Sequence, residues 1–235
     1  MLRSFLIGFA CLSTTLVVAQ EPSAPYAVTV TATVVSHAAH ARASRDLANV
    51  VLWLTPIDAP LPPSPHAVAR LVQKNKEFQP HLLVIPAGSS VEFPNLDPFF
   101  HNVFSLFDGK RFDLGLYEAG ASRTVRFERE GVSYIFCNIH PEMGAVIVAL
   151  TSPYYGISKR NGSIELPNVP PGRYALHVWS EAFRLATPSD STRIVTVSPG
   201  QTQLGEVVLS PIPDSLAHHK NKFGEDYPPQ QKMRY

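Results

Sequence analysis

The residues with the most distinctive chemistry lie close together in the second half of the chain. Cys137, His140 and Met143 offer a thiolate, an imidazole and a thioether on one short segment, and His101 with Asn102 lies upstream. Two histidines, one cysteine and a weakly bound axial methionine form the ligand set of blue-copper electron-transfer centres. A soft thiolate binds copper strongly, and imidazole suits copper as well. The segment therefore predicts a copper site with one-electron chemistry.

Each of these residues has an ordinary explanation when it is taken alone. A buried cysteine is most often a small core residue, and a methionine beside an apolar run is usually there for packing. A zinc site is an alternative to a copper site, because one cysteine and two histidines also suit Zn²⁺. The combination on one short loop is what favours a metal site.

Strand-like segments flank these residues and would position them. Residues 91–95 precede His101 by a short loop, Gly131–Phe136 alternates into Cys137, and Gly144–Leu150 is an apolar run that follows the loop. Three candidate ligands lie on one short loop. A fourth ligand can reach the same metal ion only if it lies at the end of a neighbouring strand. His101 is in the right place to be that ligand.

The region from residue 68 to residue 151 resembles the cupredoxin family of type 1 blue-copper proteins. Further support comes from Phe-Gln-Pro at residues 78–80, the strand Leu82–Pro86, the turn at Gly88 and the strand at residues 123–127. Two residues separate Cys137 from His140 and two separate His140 from Met143, which is most similar to the amicyanin ligand loop. The resemblance implies one type 1 copper ion, with His101, Cys137 and His140 as equatorial ligands and Met143 as the axial ligand.

Two asparagines are expected to support the ligands. The resemblance implies that the side chain of Asn102 ties the His101 loop to the cysteine loop, and such outer hydrogen bonds orient ligands and tune a metal. Asn95 is expected to help to pin the same loops, although asparagine is also common in turns for backbone reasons. Pro141 stiffens the ligand loop because its ring restricts φ.

The amino terminus has the pattern of a secretory signal peptide. Arg3 precedes an apolar segment at residues 5–18, and Val-Val-Ala at residues 17–19 is typical of a cleavage site. The apolar run is short for a bilayer span, so we expect a periplasmic or secreted protein without a transmembrane segment in the mature chain. Cleavage removes Cys11 and leaves Cys137 as the one thiol. Metal ligation would explain an unpaired thiol in an oxidising compartment.

Composition and motifs argue against other functional classes. The formal net charge is +1 and the chain has no long basic run, so we expect no nucleic-acid partner. Neither a glycine-rich phosphate loop nor a protease-like triad is evident, so we do not expect an enzyme. The 22 prolines and the short alternating segments indicate an all-β fold.

A second β-sandwich is predicted downstream of the ligand loop. Residues 154–179 form a series of strands and turns in which Asn161-Gly162 predicts a hairpin and Pro170-Pro171-Gly172 punctuates the next turn. The series resembles the carboxypeptidase regulatory-domain-like family, which implies a small prealbumin-like sandwich. Proteins that combine this domain with a cupredoxin include some labelled methylamine-utilisation proteins.

We predict that the Greek-key cupredoxin domain is inserted into the second sandwich. In this hypothesis residues 26–60 and 152–210 form the second sandwich, residues 66–151 form the cupredoxin domain, and residues 1–19 form the signal peptide. A flexible tail follows at residues 211–235. In the alternative arrangement, the strands before residue 60 pack on the cupredoxin domain, and their hydrogen bonding distinguishes the two arrangements.

The functional prediction is a periplasmic copper protein that carries single electrons. The partner would be a periplasmic redox protein, such as a cytochrome or a dehydrogenase, docked on an apolar rim around the edge of His140. That rim is predicted at residues 98–100, Ile139 and Pro141. The alternatives are copper storage, delivery or sensing, and a carbohydrate-binding or adhesive module that binds carbohydrate or a cell surface.

Overall fold

The computed structural model describes residues 28–36, 46–106, 109–186, 193–200, 203–212 and 220–227. These residues are all-β, which confirms the predicted fold class, and none of them lies in a helix that could cross a membrane. The predicted signal peptide lies outside the described residues. The strands are β1 (Val28–Ser36), β2 (Val51–Pro56), β3 (Val68–Arg70), β4 (Val72–Lys74), β5 (Glu77–Gln79), β6 (Leu82–Pro86), β7 (Ser90–Pro94), β8 (His101–Ser105), β9 (Phe112–Tyr117), β10 (Ser122–Arg126), β11 (Gly131–Phe136), β12 (Gly144–Leu150), β13 (Tyr155–Ile157), β14 (Ser163–Val169), β15 (Gly172–Trp179), β16 (Phe183–Leu185), β17 (Ile194–Val197) and β18 (Gln203–Pro211).

Four sheets stack on one another. The first sheet has the order β10-β7-β3, the second β6-β12-β11-β8-β9, the third β13-β2-β15-β17 and the fourth β14-β1-β18-β16, while β4 and β5 form a separate hairpin. Three hydrophobic cores fill the spaces between the sheets, which we call the metal core, the middle core and the distal core. The metal core includes Phe93, Val103, Tyr117, Ile135 and Ile147; the middle core includes Val51, Trp53, Val146, Val148 and Trp179; and the distal core includes Val30, Leu52, Ile164, Leu176 and Leu209.

Strand β12 lies at the centre of this stack and is buried on both faces. Ala145, Ile147 and Ala149 face the metal core, whereas Val146 and Val148 face the middle core. Successive side chains of a strand point to opposite faces, so a strand between two cores must be apolar at every position. This requirement accounts for the uninterrupted apolar run after the ligand loop.

Strands β1 and β2 pair with strands that follow residue 150. Strand β1 lies between β14 and β18, and β2 lies between β13 and β15, where Leu54 is opposite Leu176. The third and fourth sheets are therefore formed by strands from both ends of the chain, and the first two sheets are formed by the strands between them. An insertion requires this pairing, and the division of the chain into the predicted domains stays a prediction.

The turn at residues 159–162 has a different role from the predicted one. Gly162 has φ +82°, and its N–H donates to the carbonyl of Lys159, so the tight turn is present. The flanking strands do not form a hairpin, however, because β13 pairs with β2 and β14 pairs with β1. A Cβ atom at Gly156 would lie 2.4 Å from the carbonyl oxygen of Glu165, so β13 crosses close over β14. The turn thus connects two stacked sheets, and the hairpin prediction was wrong.

The flexible tail at residues 211–235 stays a prediction, but its described part, residues 220–227, contacts the rest of the protein. Lys222 and Tyr227 make hydrogen bonds to the loop that contains Cys137, and Asn221 is buried. A polar composition does not reveal such contacts because they are formed with residues far away in the sequence. Pro211, the first residue of the predicted tail, ends β18.

Candidate metal centre

Three predicted ligands meet at one end of the second sheet. The Sγ atom of Cys137 lies 3.8 Å from Nδ1 of His101 and 3.5 Å from Nδ1 of His140. These three atoms all lie within 4.8 Å of one another. His101 begins β8 and Cys137 follows β11, and these two strands are neighbours. The structure thus brings together two imidazoles and a thiol that are separated in the sequence.

Met143 belongs to the same site region. Its side chain is fully buried in the metal core, which also contains Cys137. The N–H of Met143 donates to the carbonyl of His140, and the N–H of Cys137 donates to the carbonyl of Met143. These two backbone bonds close the segment from Cys137 to Met143 into a compact loop. Met143 as the axial ligand stays a prediction.

Two features of the environment of the Cys137 sulfur have opposite effects on the pKa of the thiol. Burial raises the pKa of the thiol, since a charge is costly to desolvate. Backbone N–H groups of Asn102, Ile139 and His140 form hydrogen bonds that lower the pKa and oppose this increase. A sulfur surrounded by N–H donors is suited to a thiolate, which is the form that binds a metal.

Of the two histidines that are predicted to be ligands, His140 lies nearer the surface. Its side chain is partly exposed, whereas His101 and Cys137 are fully buried. Burial, together with the neighbouring His101, lowers the pKa of His140 to about 4. The imidazole is therefore neutral at pH 7, and neutral imidazole is the metal-binding form.

Asp97 contacts the other predicted ligand, His101, and it is a residue of the site region that the sequence did not predict. Its Oδ2 atom lies 2.8 Å from Nε2 of His101, and both side chains are buried. A carboxylate at Nε2 favours the tautomer in which Nε2 carries the proton and Nδ1 is free to bind a metal. The one signal in the sequence is an acid four residues before a candidate ligand.

A hairpin turn keeps Asp97 charged. Its carboxylate accepts hydrogen bonds from the N–H of Asn75 at 2.6 Å and the N–H of Lys76 at 2.9 Å. Both residues lie in the turn between β4 and β5 and have φ near +60°, which aims their N–H groups in the same direction. Burial raises the pKa of Asp97, but the bonds from Lys76, His101 and Asn75 together hold it below its ordinary value.

Asn95 anchors the loop between β7 and β8. Its side-chain amide donates to the carbonyls of Phe99 and Tyr117, and its Oδ1 atom accepts the N–H of Asp97. The side chain therefore ties both ends of the loop to β9. This placement fits the supporting role that we predict for Asn95, because the loop carries Asp97 into contact with His101.

Asn102 lies beside Cys137, but its side chain does not make the expected link to the cysteine loop. The side-chain amide donates to Oδ1 of Asp113 on β9 at 2.7 Å. The link from this residue to Cys137 comes instead from the backbone N–H of Asn102, which forms a hydrogen bond to the sulfur. Asn102 therefore supports the site through its main chain.

Aromatic and apolar residues surround the exposed edge of the site. The ring of Phe99 lies 5.2 Å from that of His101 and 5.7 Å from that of His140, between centroids. Three large apolar side chains on the adjacent loops are exposed: Leu96 at 57%, Phe100 at 55% and Ile139 at 42%. Exposed apolar side chains are thus present on these loops, including Leu96, which was not predicted, and the rim around His140 stays a prediction.

The residues present fit copper by the chemistry of their donors. One buried thiol with N–H donors, two imidazoles and a buried thioether match the preferences of copper in both oxidation states. The donor positions are already close to one another, and hydrogen bonds hold His101 and the Cys137 loop in place. A His-Cys-His group that can bind a metal is thus established, while the identity of the metal is a proposal.

Structural comparison found cupredoxins and a copper enzyme among the similar solved structures. A purple cupredoxin from Nitrosopumilus maritimus has 26% identity and a TM-score of 0.32, over 35% of this chain and 99% of that chain. A copper-containing nitrite reductase from Thermus scotoductus SA-01 has 22% identity and a TM-score of 0.35, over 41% of this chain. An amicyanin variant in the Cu(I) state has 15% identity and a TM-score of 0.34, over 35% of this chain and 82% of that chain.

The similarity to the nitrite reductase spans 25% of that chain. No protein-family model matches the sequence, and the search of curated proteins found no match.

Proposed function

We propose that this chain binds one copper ion through His101, Cys137, His140 and Met143 and carries single electrons. The observation that carries the proposal is the convergence of the three ligand atoms of His101, Cys137 and His140 within 4.8 Å of one another. Copper held there supplies a couple between Cu(I) and Cu(II). A thiolate with two imidazoles and a weak thioether serves both states of that couple.

The protein's own contribution is to hold the donors still and keep water away. Asp97 fixes the ring of His101, and the backbone bonds between Cys137, His140 and Met143 fix the loop. Cys137, His101 and Met143 are buried, and His140 is the partly exposed member of the four among the described residues, so solvent contacts the proposed site at His140. Ligands that are held in this way rearrange little when the charge of the centre changes by one.

Electrons enter and leave by the edge of His140. It is the partly exposed ligand, and the exposed side chains of Leu96, Phe100 and Ile139 lie on the loops around it. Weak redox encounters use small interfaces that separate quickly, and an apolar rim permits close contact without long-lived ion pairs. The partner is a redox protein of the same compartment, such as a cytochrome or a dehydrogenase.

The periplasm or the cell exterior is the proposed location. The amino-terminal pattern of residues 1–19 supports it, as does the use of Cys137 as a ligand in an oxidising compartment. The second sandwich, of the carboxypeptidase regulatory-domain-like type, is proposed to be a discontinuous domain that carries the copper domain. The pairing of β1 and β2 with later strands supports this division.

The decisive experiment is the metal content and the visible absorption spectrum of the purified protein loaded with Cu(II). We expect one copper ion per chain, an intense thiolate-to-copper band and reversible loss of that band on reduction. Cys137→Ser should abolish the band, because the band arises from the thiolate. His101→Ala should abolish or strongly shift it.

A half-buried histidine on the third sheet provides the control. His177→Ala should leave the metal content and the band unchanged, because His177 stacks on Trp53 in the third sheet. A colourless protein that retains one zinc ion in the presence of copper would refute the proposal. Tight Cu(I) binding without a reversible coloured state would point to copper delivery.

A further inference from the structure

The described part of the carboxyl-terminal region, residues 220–227, contacts the metal-ligating loop from outside the sandwich. The hydroxyl of Tyr227 donates to the carbonyl of Cys137 at 2.8 Å, and the N–H of Lys222 donates to Oδ1 of Asn138 at 3.0 Å. We propose that residues 220–227, here called the clamp, position Cys137 for metal binding, and that Lys222 and Tyr227 are positioning residues of the copper site. The cysteine is thus held from a part of the chain about 90 residues away.

A third contact connects the clamp to the opposite side of the cysteine. The ammonium group of Lys222 lies 2.7 Å from Oδ2 of Asp113, and Oδ1 of Asp113 accepts the side-chain amide of Asn102. The backbone N–H of Asn102 in turn forms a hydrogen bond to the Cys137 sulfur. The clamp therefore acts on the carbonyl of Cys137, on the residue that follows it and, through Asp113 and Asn102, on a donor to its sulfur.

The clamp has its own internal structure, which makes these contacts specific. Oδ1 of the buried Asn221 accepts the N–H groups of Phe223 and Glu225, and the N–H of Gly224 donates to the carbonyl of Asn221. Gly224 has φ +80°, a conformation that glycine adopts without steric cost. A turn that is closed in this way holds Lys222 and Tyr227 at a defined separation.

The contacts of the clamp restrict the ligand loop at its Cys137 end. Asn138, Ile139, His140 and Pro141 lie between the strand end and Met143, and the loop's own backbone bonds come mainly from its two ends. The clamp adds bonds at the Cys137 end, where a shift of the backbone would move both the sulfur and its N–H donors. A neutral hydrogen bond changes an equilibrium by about fivefold, which corresponds to ~1 kcal/mol. Loss of the Tyr227 hydroxyl should therefore open the loop measurably without unfolding the sandwich.

Hydrogen exchange of the metal-free protein tests this inference independently of the bound metal. Tyr227→Phe should raise the exchange rates of the amides of residues 138–140, 142 and 143 about fivefold, and deletion of residues 220–235 should raise them at least tenfold. A chain that ends at Tyr227 should match the wild type, because the clamp is intact. Tyr154→Phe, in the second sandwich, is the matched control and should leave the loop unchanged.

The spectrum of the Co(II)-loaded protein separates positioning from general stability. We expect Tyr227→Phe to shift the thiolate-to-cobalt band, while the free energy of unfolding of the whole protein falls by no more than the same fivefold factor, about 1 kcal/mol. Unchanged loop exchange and an unchanged band in both Tyr227→Phe and the deletion would overturn the inference. So would a fall in the urea midpoint with no change in the loop.

The inference rests on the proposed function only for the identity of the metal, so the two can fail separately. Faster loop exchange in a protein that never gives a blue copper band would support the clamp and refute the copper carrier. A normal blue band with unchanged loop exchange would support the carrier and refute the clamp.

Discussion

At the scale of single residues, the proposed site depends on groups other than the four proposed ligands. Asp97 receives the ring N–H of His101 on one side and two backbone N–H groups of the β4–β5 turn on the other. The turn thus supplies the positive partial charge that keeps a buried carboxylate ionised, and the carboxylate orients the ligand. The same logic applies to Asn95, which holds the loop in which Asp97 lies.

The Asp97→Asn variant tests this dependence. Asparagine keeps the size of the side chain but removes the charge that favours a proton on Nε2 of His101. Loss of such an outer partner typically lowers metal affinity 10–100-fold, and we expect a loss of about tenfold or more here. Competition titration of copper against a chelator measures it.

An exposed acid on a neighbouring loop provides the comparison for that variant. Glu118→Gln removes one negative charge from the surface without touching a ligand, so its copper affinity should stay at the wild-type value. Equal affinities for Asp97→Asn and the wild type would show that the carboxylate does not orient His101.

At the scale of elements, β12 connects the metal site to the rest of the molecule. It leaves the ligand loop at Gly144 and then contributes to the metal core and the middle core with alternate side chains. Strand β11 enters the same loop and pairs with β12 along its length. The ligand loop is therefore a connection between two buried antiparallel strands, and its ends cannot move without disturbing two cores.

Ile147→Ala tests how strongly β12 holds the fold. Ile147 is fully buried in the metal core, so its truncation should lower the free energy of unfolding by about 2–5 kcal/mol. Urea denaturation followed by tryptophan fluorescence measures the loss. Ile194→Ala is the matched control: Ile194 is 59% exposed on β17, and its truncation should change the free energy by no more than about 0.5 kcal/mol.

At the scale of the whole molecule, polar contacts supplement the middle core between the second and third sheets. His81, just before β6, places Nε2 2.6 Å from the carboxylate of Glu181, which follows β15. Its Nδ1 atom lies 3.2 Å from the carbonyl of Gly144, so a protonated ring can donate at both nitrogens. The hydrogen bond to Glu181 raises the pKa of His81, against the opposing effect of burial.

The raised pKa predicts a pH dependence of stability with a definite sign. The folded protein binds the His81 proton more tightly than the unfolded chain does, so this contribution is fully present below pH 6.5, the ordinary value. It is lost as the pH rises through the folded-state pKa. The wild-type urea midpoint should therefore fall as the pH rises above 6.5, and Glu181→Gln should flatten this fall.

A carboxylate paired with lysine instead of histidine serves as the control for that measurement. Glu165→Gln removes an exposed partner of Lys159, and lysine does not titrate in this range. The Glu165→Gln variant should keep the wild-type pH profile. An unchanged profile in Glu181→Gln would show that His81 does not link stability to pH.

The ligand types, their spacing and the all-β class are determined by the sequence alone, and the reason is that each depends on local information. Cys137, His140 and Met143 share one loop, and the alternating patterns around them describe strands over a few residues. The apolar run of β12 likewise predicts a strand, but it does not predict that this strand separates two cores.

The tertiary structure alone decided which distant groups meet at the site. Asp97 depends on a turn more than twenty residues earlier, and Tyr227 reaches Cys137 from across the chain. The pairing of β13 and β14 with different sheets has the same origin. A hydrogen bond between distant segments needs only one donor and one acceptor, so it leaves no periodic pattern in the sequence, and its partners are chosen when the four sheets stack.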